Sequence, residues 1–387
     1  MPAHLCVGER AKLEVADLVR THRAELEATH RVTLEQRRVL SAITLCRTAA
    51  LGGHLDVCPS CHLERPSYNS CRNRHCPKCQ ALAQERWIAA RAEKLLPVGH
   101  YHAVFTVPSE LRPLARRAPR VVYDALFQSA SETLQELADT RMHATLGITM
   151  VLHTWTQELH YHPHVHAIVT AGGLTESGWK PMSLKYLFAV EVMGELLRGK
   201  MLSRLRELRR VGKLPQTSEN FERLMQQLAN HERWVVYVKK AFRHAEHVLA
   251  YLGRYTHRVA IANSRLVSMT QDEVTFRTKT GKLVTVSPVE FLKRFAQHVL
   301  PKGLQKIRHY GLYASAASES LNRARAALHR DCAPETRTNI ERLRDWQQAL
   351  KELTGRDVRV CLNCGGPIEH RPLPVQARAP PELRRVA

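Results

Sequence analysis

No apolar run in this 387-residue chain approaches the roughly 18 residues of a bilayer span, and Met1 to Glu14 has no apolar signal core. No phosphate-binding GxxxxGK[ST] loop is present either. The nearest candidate, Gly281-Lys282, is followed by Leu283 and lacks the upstream glycine, so ATP hydrolysis is not expected. The chain has no internal repeat, and acidic residues are scarce. With 58 Lys plus Arg against 36 Asp plus Glu, the formal charge is +22 at pH 7. Such a surplus suits a polyphosphate partner, because each phosphate neutralised releases counterions. An acidic lipid or protein is the alternative partner. These features predict a cytoplasmic protein with access to nucleic acid and no membrane association. A 44% hydrophobic content predicts ordinary folded cores.

Cysteine usage points the same way. Six of the ten cysteines form CxxC pairs, Cys58/Cys61, Cys76/Cys79 and Cys361/Cys364, whereas a secreted disulfide framework normally occupies a much smaller chain. Cys58-Pro59-Ser60-Cys61 and Cys76-Pro77-Lys78-Cys79 are predicted to close one four-cysteine structural zinc site. Cys71, His62 and His75 are substitute ligands. A redox role would need a βαβ setting that is missing. Arg72, Arg74 and Lys78 supply cations suited to phosphate contacts. The third pair has no obvious partner pair, although Cys332 and His370 are available. It completes a second site or forms a plain turn with free thiols.

Apolar spacing predicts two amphipathic helices over about 9–50, with Leu13, Leu18, Leu26, Leu34 and Leu40 on their apolar faces. A helix over 81–96 is stopped by Pro97, and a strand over 101–107 by Pro108. A helix over 113–142 is broken at Pro119, and strands follow at 148–154 and 164–170. Helices over 184–211 and 218–230 precede a strand at 234–238. A further helix is expected over 244–255, short strands over 258–286, and helices over 288–299 and 318–329. The tail from His370 reads as disordered. This order predicts an α+β fold, an antiparallel sheet with helices on one face, preceded by a helical and zinc-binding N-terminal module. A doubly wound sheet is excluded.

The chemistry concentrates in His160-Tyr161-His162-Pro163-His164-Val165-His166. Alternate strand residues face one side, so His164 and His166 point together at one metal ion. Pro163 cannot donate a ladder hydrogen bond and is expected to mark the strand's start, leaving His160 and His162 in the approach. Two imidazoles with one oxygen donor suit magnesium or manganese as a Lewis acid. Gln157 is the expected third ligand, with Glu158 and His160 as alternatives. Histidines that merely hydrogen-bond on a sheet are the plainer reading. Tyr251 and Tyr255 stand at i and i+4, on one helix face, among Arg254, His257, Arg258 and Arg265. A phenol attacking phosphate needs such cations, although an aromatic pair packed under the sheet is the simpler alternative.

The HPHVH run, the upstream Gln157, the YLGRYTHR segment and the CPSC…NSCRNRHCPKC module together resemble the two-tyrosine HUH transposases of the IS-ninety-one type. The resemblance runs from about Cys58 to Leu266. It implies a DNA transposase with an HUH endonuclease core that cleaves and rejoins single-stranded DNA in rolling-circle transposition of an insertion sequence. His164, His166 and Gln157 would hold the divalent cation. Tyr251 and Tyr255 would form 5′-phosphotyrosine intermediates, and Arg72, Arg74, Lys78, Arg254 and Arg258 would contact DNA. The expected domains are 1–97, helical and zinc-binding; 98–310, catalytic; and 311–387, a helical C-terminal region with a basic tail. The expected partners are single-stranded DNA at element ends and target, with a host helicase or replication machinery and a homo-oligomer compatible with the chemistry. A non-catalytic zinc-containing DNA-binding protein and a replication initiator or relaxase of the same class are the competing readings.

Overall fold

Helices start where caps and apolar spacing coincide. In the computed structural model, which describes residues 13–92, 94–215, 218–242, 260–329, 347–348, 351, 355 and 357–373, α1 is Val15–Thr29 and α2 is Leu34–Leu45. A reciprocal capping box between Thr33 and Gln36 opens α2. Leu18, Leu26 and Leu40 are buried as their spacing predicts, but Leu34 is exposed in the first turn of α2. Strands β1 (Gly53–Val57) and β2 (Glu64–Tyr68) flank the first CxxC pair, and α3 (Ala81–Ala92) follows the second.

The central part continues with β3 (His100–Thr106), α4 (Arg112–Arg117) and α5 (Pro119–Met142). Pro119 separates the two helices and takes the first position of α5, where its missing N–H costs nothing. Then come β4 (Thr145–Trp155), β5 (Tyr161–Thr175), β6 (Gly178–Pro181), α6 (Val190–Arg210), α7 (Ser218–Ala229) and β7 (Val236–Phe242). The remaining elements are β8 (Leu266–Met269), β9 (Val274–Arg277), β10 (Leu283–Val286), α8 (Pro288–Ala296), β11 (Ile307–Gly311), α9 (Ser318–His329) and β12 (Glu369–Pro372). The helix expected over 244–255 lies outside the described residues.

The fold is α+β with antiparallel sheets. The largest sheet runs β11-β4-β5-β3-β7, with β6 paired to the far end of β5. Its two faces differ because strand residues alternate. Tyr101, Ala103 and Phe105 of β3, Ile148, Met150 and Leu152 of β4, and Val165, Ala167 and Val169 of β5 form one face. They pack against Val122, Leu126, Phe127, Ala130 and Leu134 of α5 and Met193, Leu197 and Met201 of α6. Each fully buried large side chain there contributes about 1.5–3 kcal/mol. The other face carries His100, His102, His153, His164 and His166. At the β11 edge, a Cβ on Gly311 would lie 1.9 Å from the Leu146 carbonyl oxygen, so only glycine permits that approach at its φ of 56°.

Two expectations change here. Pro163 does not begin the strand, because β5 starts at Tyr161. Trp155 pairs with Tyr161 and His153 with His164, so Thr154 opposes both His162 and Pro163 across a bulge. Pairing with β3 ends at His164, so the missing proline donor leaves no ladder bond broken. The tail is also ordered further than expected: His370, Arg371 and Pro372 lie in β12, which pairs with β1, and Leu373 is buried. Residues 374–387 lie outside the described residues.

The N-terminal helices share a second core with β8, β9 and α8, in which Leu18, Leu26 and Leu40 meet Phe276, Phe291 and Phe295. Leu159, at the tip of the β4–β5 hairpin, joins this core. Among the described residues, no helix is long and apolar enough to cross a membrane.

Candidate functional site: a histidine centre beside cysteine clusters

Antiparallel register sets His153 directly across from His164, and the strand period puts His166 on the same face. His153, His164 and His166 each bring one ring nitrogen within 4.8 Å of the others. His164 Nε2 and His166 Nε2 are 3.1 Å apart. His164 Nδ1 lies 2.7 Å from the His162 carbonyl, which only accepts, so Nδ1 carries the hydrogen and Nε2 of the neutral ring keeps its lone pair. On the far side of His166, Nδ1 meets His102 Nε2 at 2.8 Å, and the two rings stack at 5.0 Å and 7°. A cation or a shared proton must reconcile the two facing Nε2 atoms.

Burial keeps these rings neutral. Desolvation pushes His164 and His102 down to about 4 and holds His153 and His166 well below the usual histidine range. Neutral imidazoles are the form that binds metal. The charges of Lys239 and Lys279 act in the same direction on His166, and those of Lys279 and Lys306 on His153. Lys306 is buried, 5.4 Å from the centre of the Trp155 ring, and burial pulls it down to about 7. The centre therefore has the positive surroundings that an anionic group would seek.

Gln157 does not stand with the histidines. It lies in the hairpin turn beyond the Trp155–Tyr161 pair, where its Oε1 accepts from the Thr280 N–H at 3.3 Å and its carbonyl accepts from Arg265. That is four residues past His153 and two beyond the end of β4, at most roughly 13 Å along the chain. His153, and not Gln157, stands beside His164 and His166. Its signal was present, since Val151, His153 and Trp155 alternate along β4, but the hairpin length that aligns it with His164 is not written in the spacing alone. Of the other candidates, Glu158 pairs with Lys282 at 2.6 Å, and His160 is exposed. His162 Nδ1 lies 3.0 Å from an Arg112 guanidinium nitrogen.

The cysteines expected in one site are divided between two clusters. Cys76 and Cys79 join Cys46 and Cys71, while Cys58 and Cys61 join Cys361 and Cys364. Cys71 was a substitute ligand by sequence; Cys46, at the end of α2, was missed because it belongs to no CxxC pair. In the first cluster Cys71 and Cys79 sulfurs are 3.8 Å apart, matching the roughly 3.8 Å edge of a tetrahedron with about 2.3 Å Zn–S bonds. Thiol contacts with Cys46 lead in holding Cys79 well below, and Cys76 well above, the usual thiol range. Four sulfurs competing for protons fit a cation that displaces them. His75 is no ligand here, because its Nε2 accepts the Leu300 N–H at 3.1 Å.

The basic candidates also separate. Arg74 turns inward, donating to the Leu304 and Pro301 carbonyls at 2.7 and 3.0 Å, which anchors the cysteine loop to the segment after α8. Lys78 pairs with Glu14. Arg72 is exposed, with φ 52°. Tyr251, Tyr255, Arg254 and Arg258 lie outside the described residues. The ends of that interval are informative: Phe242 packs with Val151 and Ile168 on the histidine face, and Ala260 and Ile261 share a core with Leu159 at the hairpin tip.

A family model described as "Putative transposase" matches residues 147–320, which hold the histidine hairpin, and one described as "Transposase zinc-binding domain" matches 18–107. The chain belongs to the IS-ninety-one type of transposases. A Sinorhizobium fredii protein of the first description, y4qJ, is 39% identical over 375 residues, covering 92% of this transposase and 94% of the relative. The "Transposase for insertion sequence element IS801" of Pseudomonas savastanoi is 32% identical over 286 residues, covering 70% and 68%. No solved structure matches the chain. The N-terminal match makes zinc the metal for the cysteine module of this transposase.

Proposed function

We propose that this transposase cleaves and rejoins single-stranded DNA by phosphodiester exchange, with Tyr251 and Tyr255 as nucleophiles and a divalent cation held by His153, His164 and His166. The observation that carries the reading is the group of three imidazoles, those of His153 and His164 buried and that of His166 partly so, on the sheet face opposite the helices. Phe242, the last described residue before the tyrosine segment, packs with Val151 and Ile168 on that same sheet face. When bound, the cation would polarise the scissile phosphate and offset its charge.

The chain's own groups do the remainder. His162 fixes the His164 ring through its carbonyl, and His102 fixes His166. Lys239, Lys279 and Lys306 favour an anion at the centre. One tyrosine loses its proton, and its oxygen attacks phosphorus. The bond to the 3′ oxygen breaks, that oxygen takes up a proton, and a 5′-phosphotyrosine and a free 3′-OH result. The second tyrosine repeats the step on another strand, and the free 3′-OH reverses it to rejoin. Each step exchanges one phosphodiester for another, so no nucleotide need be hydrolysed. Arg72, Arg254 and Arg258 are proposed phosphate contacts. Three imidazoles in place of two and an amide shift the preferred cation from magnesium toward manganese and softer ions.

Incubation with single-stranded oligonucleotides from both element ends, with manganese or magnesium, tests the reading by denaturing electrophoresis. A covalent adduct and joined ends are expected. DNA binding with no adduct would leave a non-catalytic binding protein, and nicking without joining would indicate an initiator or relaxase.

A further inference from the structure

We propose that Cys58, Cys61, Cys361 and Cys364 form a second tetrathiolate zinc site, which fastens the C-terminal segment to the N-terminal module across some 300 residues of chain. Cys58 and Cys364 sulfurs are 3.4 Å apart and those of Cys61 and Cys361 3.6 Å. Both are far beyond the roughly 2.05 Å of a disulfide and close to the edge of a zinc–thiolate tetrahedron, about 3.8 Å. All four sulfurs lie within 4.8 Å of one another.

The two loops are built alike. The Cys58 N–H donates to the Leu63 carbonyl at 3.0 Å, and the Cys361 N–H to the Gly366 carbonyl at 2.7 Å. The His62 N–H returns to the Cys58 carbonyl at 2.9 Å, and the Gly365 N–H to the Cys361 carbonyl at 2.9 Å. His62 and Gly365, each directly after the second cysteine, both adopt left-handed backbone, with φ 57° and 73°. A left-handed histidine is uncommon, and here it repeats the turn that glycine makes in the opposing loop. Two such loops facing each other present four sulfurs to one point, as a structural zinc requires.

The surrounding strands hold this arrangement. β12 pairs with β1 in the register Val57 to Glu369 through His54 to Pro372, so the C-terminal loop arrives beside the N-terminal one. Across that seam Asp56 accepts from His370 at 3.0 Å, and it also accepts from Arg65 of β2 at 2.8 Å and lies 3.1 Å from His54 Nε2 on its own strand. A Cβ on Gly366 would lie 2.9 Å from Ser60 Oγ, so the missing side chain lets the loops close. The backbone N–H groups of Cys61 and Ser60 face the Cys58 sulfur, as donors around a metal-bound thiolate do. Zinc entry displaces the thiol protons to solvent. Cys364 is exposed, whereas Cys46 and Cys76 of the other cluster are buried, so this second zinc is the one that chelators reach first.

Zinc content of the full chain, purified without chelator and measured by plasma mass spectrometry, tests the proposal. Two zinc ions per chain are expected, falling to one in Cys361→Ser/Cys364→Ser, with trypsin cutting after Arg359 at least tenfold faster. Should that variant fail to fold, mild chelation of the wild type followed by alkylation mapping decides. Cys58, Cys61, Cys361 and Cys364 should become reactive together with loss of the first zinc, before Cys46, Cys71, Cys76 and Cys79. One zinc per chain in the wild type, or Cys361 and Cys364 alkylated at once with no zinc lost, would overturn the site.

Discussion

Replacing His102 by phenylalanine separates the support of the histidine centre from the centre itself. The His102 ring stacks on His166 at 5.0 Å, and phenylalanine preserves that packing, but the 2.8 Å contact between His102 Nε2 and His166 Nδ1 is lost. Under the proposed function a bound cation would take His166 Nε2, so Nδ1 would carry the ring hydrogen and need an acceptor; the variant removes that partner. Such a loss costs about 1–3 kcal/mol, and removing the group that orients a metal-bound histidine typically weakens metal affinity about 10- to 100-fold, or about 1.4–2.8 kcal/mol. Manganese binding followed by calorimetry or electron paramagnetic resonance should weaken by that factor. His102→Gln, which restores an acceptor, should recover part of it. An unchanged manganese affinity in His102→Phe, with thermal unfolding confirming the fold, would refute the reasoning.

Three further outcomes follow from the geometry. His153→Ala should abolish manganese binding at this centre while Gln157→Ala changes it by less than about threefold; calorimetry on both variants checks this, and the reverse pattern would restore the amide as ligand. Tyr123 and Tyr161 hydroxyls meet at 2.6 Å in the core, so either single change to phenylalanine should cost about 1–3 kcal/mol, and the double change clearly less than the sum. Additive losses in urea unfolding would show that the contact is not coupled. His100 and His298, buried and pushed down to about 4, stay neutral in the folded protein, whereas the unfolded chain binds their protons below about pH 6.5. Stability should therefore fall as pH drops from about 6.5 toward 4, by up to about 1.4 kcal/mol per pH unit for each histidine, with a flat urea midpoint across that range as the contrary result.

Local signals were legible where they act over a few residues. The strand carrying His164 and His166, the helix break at Pro119 and α9 over Ser318–His329 follow from alternation, proline chemistry and apolar spacing. What escaped the sequence is long-range register. Gln157 seemed the natural third ligand because it precedes His164 by seven residues, but the turn at 156–159 consumes that spacing and aligns His153 instead. Pro163 reads as a strand boundary until the bulge opposite Thr154 is seen to absorb it. The CxxC pairs announced metal, yet their partners are chosen by the end of α2, which brings Cys46, and by the β1–β12 pairing, which brings Cys361 and Cys364. No local pattern encodes either meeting.

The most direct test of DNA cleavage is the identity of the residue that becomes attached to DNA. Peptide mapping by mass spectrometry, after reaction with single-stranded element-end oligonucleotides and manganese, should find a 5′-linked nucleotide on Tyr251 or Tyr255. It should find none in the Tyr251→Phe/Tyr255→Phe variant. An undiminished adduct in that double variant, or a nucleotide attached elsewhere in the wild type, would contradict the account.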